Sequence, residues 1–230
     1  MPFVIKNTHM RHSFRLIASL LLLTPVLAAA QPMAGLNGRI DGRSYVSPGG
    51  HYRVTIPVLP ELGGNVSDTQ NVVVFQDDYN VHVSIAAFEL DATQRWELST
   101  RGLKDYLNDF FTNLVMPDFA RMFPDSSIES ANFDPDYMGG TLRAHILLPG
   151  GSMFAQQIAP LRGDEQETVA KRGNLVFIRN NVVFVVSVEL TERIIEGPGY
   201  NRTTAQEDAL LRERLELIVN SMTFARPTSG

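Results

Sequence analysis

The chain has 230 residues, of which 44% are hydrophobic and 20% are charged, and its formal net charge is −5. This composition excludes a disordered protein, and the negative charge without a cluster of Lys and Arg argues against nucleic acid and anionic membranes as partners. Because the sequence contains no cysteine, disulfide bonds are excluded and an apolar core must stabilise the fold.

The first 30 residues have the pattern of a secretory signal peptide. Arg11 and Arg15 precede an apolar run over 16–23, which is shorter than the roughly 20 residues that a membrane-spanning helix requires. Small residues at 28–30 supply a cleavage pattern, with Gln31 as the new N-terminus. Because residues 1–30 contain three basic residues and no acidic one, their removal changes the net charge from −5 to −8. We predict an acidic periplasmic or secreted protein, with a retained membrane anchor as the alternative.

The rest of the chain is expected to form one domain. The roughly 200 residues that remain are enough for a single core, which buries about 70% of the surface of the unfolded chain. We predict a flexible leader over 31–44, a single α+β domain over 45–226 and a polar tail over 227–230. Translation starts at Met1 or Met10, and both starts leave this domain unchanged.

Alternation of apolar and polar residues predicts the first strands. After a turn at 47–50, the segment 52–56 alternates Tyr, Val and Ile with polar residues, as a strand does when one face packs on the core. Residues 71–75 and 81–88 are rich in β-branched residues and are joined by Asp and Asn, which favour turns. These two runs predict a hairpin.

A helical pattern begins near Leu98. Its apolar residues follow the i, i+3, i+4, i+7 spacing and form one stripe, which consists of Leu103, Tyr106, Leu107, Phe110, Phe111 and Leu114. Thr100 is the predicted N-cap, and Pro117 is the predicted end of the helix. We interpret the stripe as part of the core, with an aromatic cofactor site as the alternative.

The second half of the chain is predicted to be rich in strands. Short β-prone runs follow a polar, turn-rich segment over 124–140 and lie at 142–148, 153–158, 174–179 and 182–190. Asn180 and Asn181 join the last two runs as a two-residue turn, since Asn accepts a positive φ angle at lower cost than most residues. The charged residues over 163–172 predict a solvated loop.

A second helix is predicted near the end of the chain. It follows a linker over 197–202, and Thr204 to Glu207 match a capping box, whose Thr and Glu side chains satisfy free N–H groups of the first turn. Its apolar face consists of Leu210, Leu211, Leu215, Ile218, Val219 and Met222. This spacing is typical of an amphipathic helix.

Four features in this order resemble the PsbP-like superfamily over roughly residues 43–225. They are the entry "YVSPGGHYRVTIP", the hairpin followed by an aromatic-striped helix, the late hairpin "GNLVFIRNNVVFVVSVEL" and a last helix that runs into "IVNSMTF". The superfamily includes the extrinsic subunit of the oxygen-evolving photosystem, a Ran-binding nuclear import protein and many exported bacterial proteins. In relatives the position of Met222 is commonly aromatic.

The resemblance implies a fold and only a broad role. The implied fold is α+β, an antiparallel sheet with helices packed on its faces in an α/β/α sandwich. Members are generally non-catalytic binding or assembly factors, but a fold that hosts unrelated roles does not assign one. No binding residue of a relative matches a numbered position of this chain.

Three histidines in the mature part are the first candidates for chemistry. His51, His82 and His145 lack a metal-ligand spacing such as HExxH, and each lies opposite the apolar positions of its own strand. We interpret them as solvated or second-layer side chains. The alternative is a ligand patch of His82, Arg143 and His145, which would bind an anion or a metal if their two strands were neighbours.

Other motifs do not form an enzyme site. Gly150 to Phe154 resembles a serine nucleophile turn but lacks its second glycine and the helix that should follow. Asp134 to Asp136 is too short for a calcium loop and is interpreted as a solvated turn. Triplets at Asn65 and Asn201 matter for glycosylation only on a eukaryotic secretory route. We predict a protein that is not an enzyme and has no cofactor or metal.

Three functions remain in competition. The first is an exported, non-catalytic binding or assembly protein, whose partner is another envelope protein or a small ligand. The second is an envelope hydrolase or metal-dependent enzyme whose site is not visible in the sequence, and the third is a small-ligand carrier. A deep pocket with clustered His, Asp and Glu favours the enzyme, an exposed apolar patch favours the binding protein, and an enclosed apolar cavity favours the carrier.

Overall fold

Two antiparallel sheets form the framework of the fold, and the larger one positions the candidate site. The computed structural model describes residues 35–150 and 169–225. The strands are β1 (Arg39–Asp41), β2 (Ser44–Val46), β3 (Tyr52–Thr55), β4 (Asn65–Asp68), β5 (Val72–Gln76), β6 (His82–Glu89), β7 (Ser127–Asp134), β8 (Thr141–Pro149), β9 (Val169–Arg179), β10 (Val182–Glu189) and β11 (Thr223–Phe224). The small sheet has the order β1-β2-β3-β11, and the large sheet has the order β4-β5-β6-β10-β9-β8-β7.

Helices follow the strands in two groups. They are α1 (Ala92–Arg101), α2 (Leu103–Phe110), a π-helical segment (Phe111–Val115), α3 (Met116–Met122), α4 (Glu192–Ile195) and α5 (Thr204–Asn220). Capping boxes start α1 at Asp91 and α5 at Thr203, because each side chain accepts a hydrogen bond from the backbone three residues later. Helices packed with antiparallel sheets confirm the predicted α+β class.

Both predicted hairpins are confirmed. β5 and β6 pair in antiparallel register, and Asp77 closes their turn by accepting three backbone N–H groups through Oδ1. β9 and β10 are joined by Asn180 and Asn181, whose φ angles of 52° and 62° are those of a type I′ turn. The strand predicted over 52–56 is β3, with Tyr52 buried on one face.

The large sheet is buried on both faces. One face packs against the small sheet and α5, with Phe75, Leu175, Phe177, Phe184 and Val186 among its buried side chains. The other face packs against α2, the π segment and α3, with Leu142, Ile146, Val176, Val183 and Val185. Successive residues of a strand point to opposite faces, so the central strand β10 supplies Phe184 to one core and Val185 to the other.

Pro117 does not end the helix as predicted. The N–H of Met116 donates to the carbonyl of Phe111 five residues earlier, and the chain continues as α3 to Met122. Proline lacks the N–H of the helical ladder, and the wider π turn lies directly before this gap. At the predicted helix end the chain therefore stays helical and changes only from π-helical to α-helical hydrogen bonding.

Two predicted N-caps are also wrong. Thr100 lies inside α1, where its Oγ1 donates to the carbonyl of Trp96 at 3.0 Å. The helix with the apolar stripe is α2, which starts after Gly102 without a side-chain cap. In α5 the capping residue is Thr203 rather than Thr204, and Gln206 closes the box.

Several polar segments form strands against expectation. The turn-rich segment 124–140 contains β7, the leader region contains β1 and the start of β2, and the charged residues Lys171 and Arg172 lie in β9 rather than in a solvated loop. Pairing with a neighbouring strand explains why polar segments such as β7 and the start of β9 form strands, since β8 pairs with both of them. The expected signal peptide over 1–30, the run 153–158 and residues 163–168 lie outside the described residues.

Candidate functional site

An open groove lies between the helical layer and one edge of the large sheet. Its volume is about 540 Å³. The floor is formed by neighbouring strands, with Val72 from β5, Ala86 and Phe88 from β6, and Val185 from β10. Because strand residues alternate between faces, the even-numbered residues of β6 point to this groove while Val83 and Ile85 enter the opposite core.

The wall of the groove follows the helices on either side of the π segment. It consists of Phe110, Leu114, Val115, Phe119 and Met122. The extra residue of the π turn shifts the helical phase, so that Leu114 and Phe119, five residues apart, line the same groove. Leu114 is 53% exposed and Met122 is 63% exposed. The rim of the groove is therefore a solvent-exposed apolar surface.

The charged groups that line the groove are both acidic. Asp118 and Glu89 lie in its lining, whereas none of the described lining residues is Lys or Arg. Asp118 pairs with Arg121 at 3.1 Å, and Glu89 pairs with His51 Nε2 at 3.1 Å. Both carboxylates are largely exposed, and exposed ion pairs contribute at most about 1 kcal/mol. Asp118 therefore remains available to a basic ligand on the helical side of the groove, whereas the Glu89 carboxylate contacts His51 between β2 and β3.

Ser187, one of the two serines on the floor of the groove, is bonded within the sheet. Its Oγ donates to Asn174 Oδ1 at 2.6 Å, and Asn174 Nδ2 donates to the carbonyl of Ala144 at 3.2 Å. The chemistry that the groove offers is burial of apolar groups beside carboxylates.

Arg143 and His145 share one face of β8, as predicted, and both contact α5. Arg143 Nη2 donates to Glu216 at 2.8 Å, and His145 Nδ1 lies 3.0 Å from Ser130 Oγ and 3.2 Å from Asp208. His145 is buried, and burial lowers its pKa, although Asp208 opposes that effect. A packed helix thus covers the face on which these two side chains lie.

A buried lysine lies at the centre of this region. Lys171 Nζ is 2.5 Å from Glu129, 2.8 Å from Asp208 and 3.0 Å from Glu207. Its side chain is 0% exposed, and burial opposes its charge, but hydrogen bonds to these three carboxylates outweigh burial and raise its pKa. The cluster ties α5 and β7 to β9.

The same carboxylates form the group among the described residues with the spacing of a metal site. Ligand atoms of Glu129, His145 and Asp208 lie within 4.8 Å of one another. Two of these residues already bind the ammonium group of Lys171. Because a cation of the chain occupies the position where a metal would sit, the residues fit an ion-pair cluster better than a metal centre.

His82 lies apart from Arg143 and His145. β10 and β9 separate β6 from β8, and His82 points to the opposite face, where Arg172 contacts both its Nδ1 at 2.9 Å and the ring of Phe119. Burial, and then the charge of Arg172, lower the pKa of His82 to about 3. His82 and His145 are buried rather than solvated, and the structure does not bring His82 together with Arg143 and His145.

Sequence reasoning missed the groove. Leu114 belongs to the predicted core stripe and the predicted helix ends at Pro117, although Phe119 and Met122 continue the apolar pattern with a shifted phase. This phase shift in the apolar pattern is the sequence feature from which a continued helix could have been predicted. The exposure of Leu114 depends on where the sheet ends beneath the helix, which no local pattern contains. None of the described helices has the length and hydropathy of a membrane-crossing segment.

Comparison with known proteins gives likeness in structure and none in sequence. No protein-family model matches the chain, and no curated protein matches it. The Ran-binding protein Mog1p of Saccharomyces cerevisiae is similar at 11% identity and a TM-score of 0.46, over 83% of this chain and 96% of that one. PsbP (CyanoP) of Synechocystis sp. PCC 6803 is similar at 14% identity and a TM-score of 0.46, over 84% of this chain and 99% of that one.

A structure from Bacteroides thetaiotaomicron is a third similar chain, at 11% identity and a TM-score of 0.38, over 81% of this chain and 50% of that one. The similar solved structures thus include a PsbP and a Ran-binding protein. Proteins of both kinds were named above with the resemblance that the sequence shows. At these identities the likeness concerns the fold and assigns no function.

Proposed function

We propose that this protein is an exported, non-catalytic binding protein that recognises its ligand through the apolar groove between the large sheet and α2–α3. The observation that carries the proposal is the exposed apolar rim, with Leu114 and Met122 more than half exposed above an apolar floor. Clustered exposed apolar side chains mark binding sites. Burial of the exposed part of each such side chain by a ligand contributes about 1–2 kcal/mol, before the cost of ordering the ligand.

The charged clusters support binding over catalysis. Lys171 and Arg143 are paired with carboxylates of α5 and β7, and these pairs hold the helix to the sheet. An enzyme needs a nucleophile, base or metal that faces a substrate cavity. In the part of the chain that the structure describes, the groove of about 540 Å³ is lined by two serines and two carboxylates but no histidine.

Replacement of Leu114 by Asp tests the groove directly. We expect the wild-type protein to bind N-phenyl-1-naphthylamine, a neutral apolar dye that fluoresces when it is buried, and Leu114→Asp to weaken this binding at least tenfold. The reason is that a carboxylate at the rim must lose water when an apolar ligand covers it. Fluorescence titration measures the effect, and circular dichroism checks that the variant is folded.

The matched control is Leu217→Asp. Leu217 is also an exposed helical leucine, at 63%, but it lies on α5 on the other side of the large sheet. Equal dye binding by the two variants and the wild type would contradict the proposed site. A hydrolytic activity that survives in purified wild-type protein and in Leu114→Asp would contradict the proposed class of protein.

A further inference from the structure

Resting on the proposed function, we infer that the ligand of the groove is a short apolar segment of another protein that carries Lys or Arg beside its apolar side chains. The groove offers apolar area in its floor and wall and carboxylates at its edge. Three observations favour a basic protein segment over a small apolar molecule. They are the exposure of the rim, the sign of its charges and the side chains that form its wall.

The exposure of the rim argues against a small ligand. Sites for small molecules usually bury 70–90% of the ligand surface. Here the side chains of Leu114, Met122, Asp118 and Glu89 are each more than half exposed. A ligand in the groove therefore keeps one side in water along its length, as a polypeptide does when it inserts only alternate or helically spaced side chains.

The charges at the rim select the sign of the ligand. Asp118 and Glu89 are negative, and the described lining residues include no basic group that would attract an acidic segment. The partners that these carboxylates have, Arg121 and His51, belong to exposed pairs that a competing cation displaces at a cost of at most about 1 kcal/mol. A Lys or Arg of the ligand gains the carboxylate of Asp118 in place of Arg121, whereas an Asp or Glu beside Asp118 meets like charge.

The wall of the groove can adapt to different apolar side chains. Met122 is exposed at the end of α3, and its unbranched thioether adjusts to irregular surfaces, as in other proteins that bind varied peptides. Leu114 and Val115 lie in the π-helical segment, a feature that is frequent at functional sites. The π segment, Met122 and Asp118 thus form one continuous surface along the helical side of the groove.

Three peptides of equal length and apolar content test the inference. Each has Leu at positions i, i+3, i+4 and i+7, and the remaining positions carry Lys, Gln or Glu. We expect the Lys peptide to displace the apolar dye from the wild-type protein at a concentration at least tenfold lower than the Glu peptide, with the Gln peptide between them. The difference between the Lys and Glu peptides should shrink at high salt, because screening weakens exposed charges.

Asp118→Asn is the specific variant. We expect it to lose threefold or more of the preference for the Lys peptide, measured as the ratio of the Glu-peptide and Lys-peptide concentrations that displace the dye. Asp136→Asn, which removes an exposed carboxylate outside the groove lining, should keep the full preference. Circular dichroism of both variants separates loss of preference from loss of fold.

The outcomes separate the inference from the proposed function. If the dye binds in a Leu114-dependent way but the Lys and Glu peptides compete equally, the inference is wrong and the proposed function stands. If none of the peptides displaces the dye, the ligand is a small apolar molecule, and the inference is again wrong. If Leu114→Asp instead abolishes self-association in sedimentation experiments, the groove holds a second copy of this chain. Dye binding that does not depend on Leu114 overturns the proposed function itself.

Discussion

Neighbouring side chains of one strand stabilise different layers of this protein, because each face of the large sheet packs against its own layer. Lys171 and Arg172 are neighbours in β9 and point to opposite faces, because strand residues alternate. Lys171 meets the acidic side chains of α5, whereas Arg172 meets His82 and the ring of Phe119. Two adjacent basic residues in the sequence therefore stabilise two separate interfaces.

Removal of the buried lysine charge should destabilise the fold. Lys171→Met leaves Glu129, Glu207 and Asp208 close together without their common cation, and breaking a buried ion pair from one side typically costs about 3–5 kcal/mol. Urea denaturation at pH 7 measures the loss of free energy of unfolding. Lys104→Met, which removes an exposed lysine of α2, should change the stability by less than about 0.5 kcal/mol. A variant at Lys171 as stable as the control would show that the cluster adds nothing.

The buried histidine predicts acid sensitivity. The pKa of His82 is lowered to about 3 in the folded protein, against about 6.5 in the unfolded chain, so above pH 6.5 the side chain is neutral in both states. As the pH falls from 6.5 towards 3, the unfolded chain takes up a proton that the folded protein does not, and the stability decreases by up to about 5 kcal/mol.

His82→Gln should flatten this pH dependence. Urea midpoints at pH 7, 5.5 and 4 measure it, and the informative quantity is the slope with pH rather than the stability at pH 7, since the substitution also removes a contact with Arg172. An unchanged slope in His82→Gln would exclude this residue as the source of acid sensitivity.

At the scale of elements, the hairpins follow from local chemistry, and the helical layer does not. The turn between β9 and β10 needs two residues with positive φ angles, and the two asparagines supply them. The helices α1 to α3 instead depend on a capping residue ahead of the apolar stripe and on a π turn before Pro117. A helical period contains neither feature, so the N-cap predicted at Thr100 and the helix end predicted at Pro117 are both wrong.

The hairpin turn should distinguish side chains by backbone strain alone. Asn181 has a φ angle of 62°, which a β-branched residue adopts only at a cost of about 1–2 kcal/mol. We expect Asn181→Val to lower the free energy of unfolding by about that amount. Asn181→Gly should keep it within about 0.5 kcal/mol, because glycine accepts positive φ freely. Equal stabilities of the Val and Gly variants would contradict the type I′ geometry.

At the scale of the whole molecule, the large sheet separates two functions. On one face α5, the small sheet and the ion pairs of Lys171 and Arg143 complete a closed core. On the other face the helices α2 and α3 cover the middle of the sheet but leave the side chains of β5 and part of β6 beside a groove. The closed face stabilises the fold, and the incompletely covered face supplies the proposed binding surface.

Local sequence by itself determined the strands that alternate cleanly, the Asn180–Asn181 turn, the amphipathic last helix and hence the α+β class, because period and turn chemistry act over a few residues. Only the tertiary structure decided that β10 and β9 lie between His82 and His145, that Lys171 is buried among acids, and that Leu114 is exposed. Strand order and the extent of helical cover depend on contacts between residues far apart in the chain, and periodicity carries no information about them.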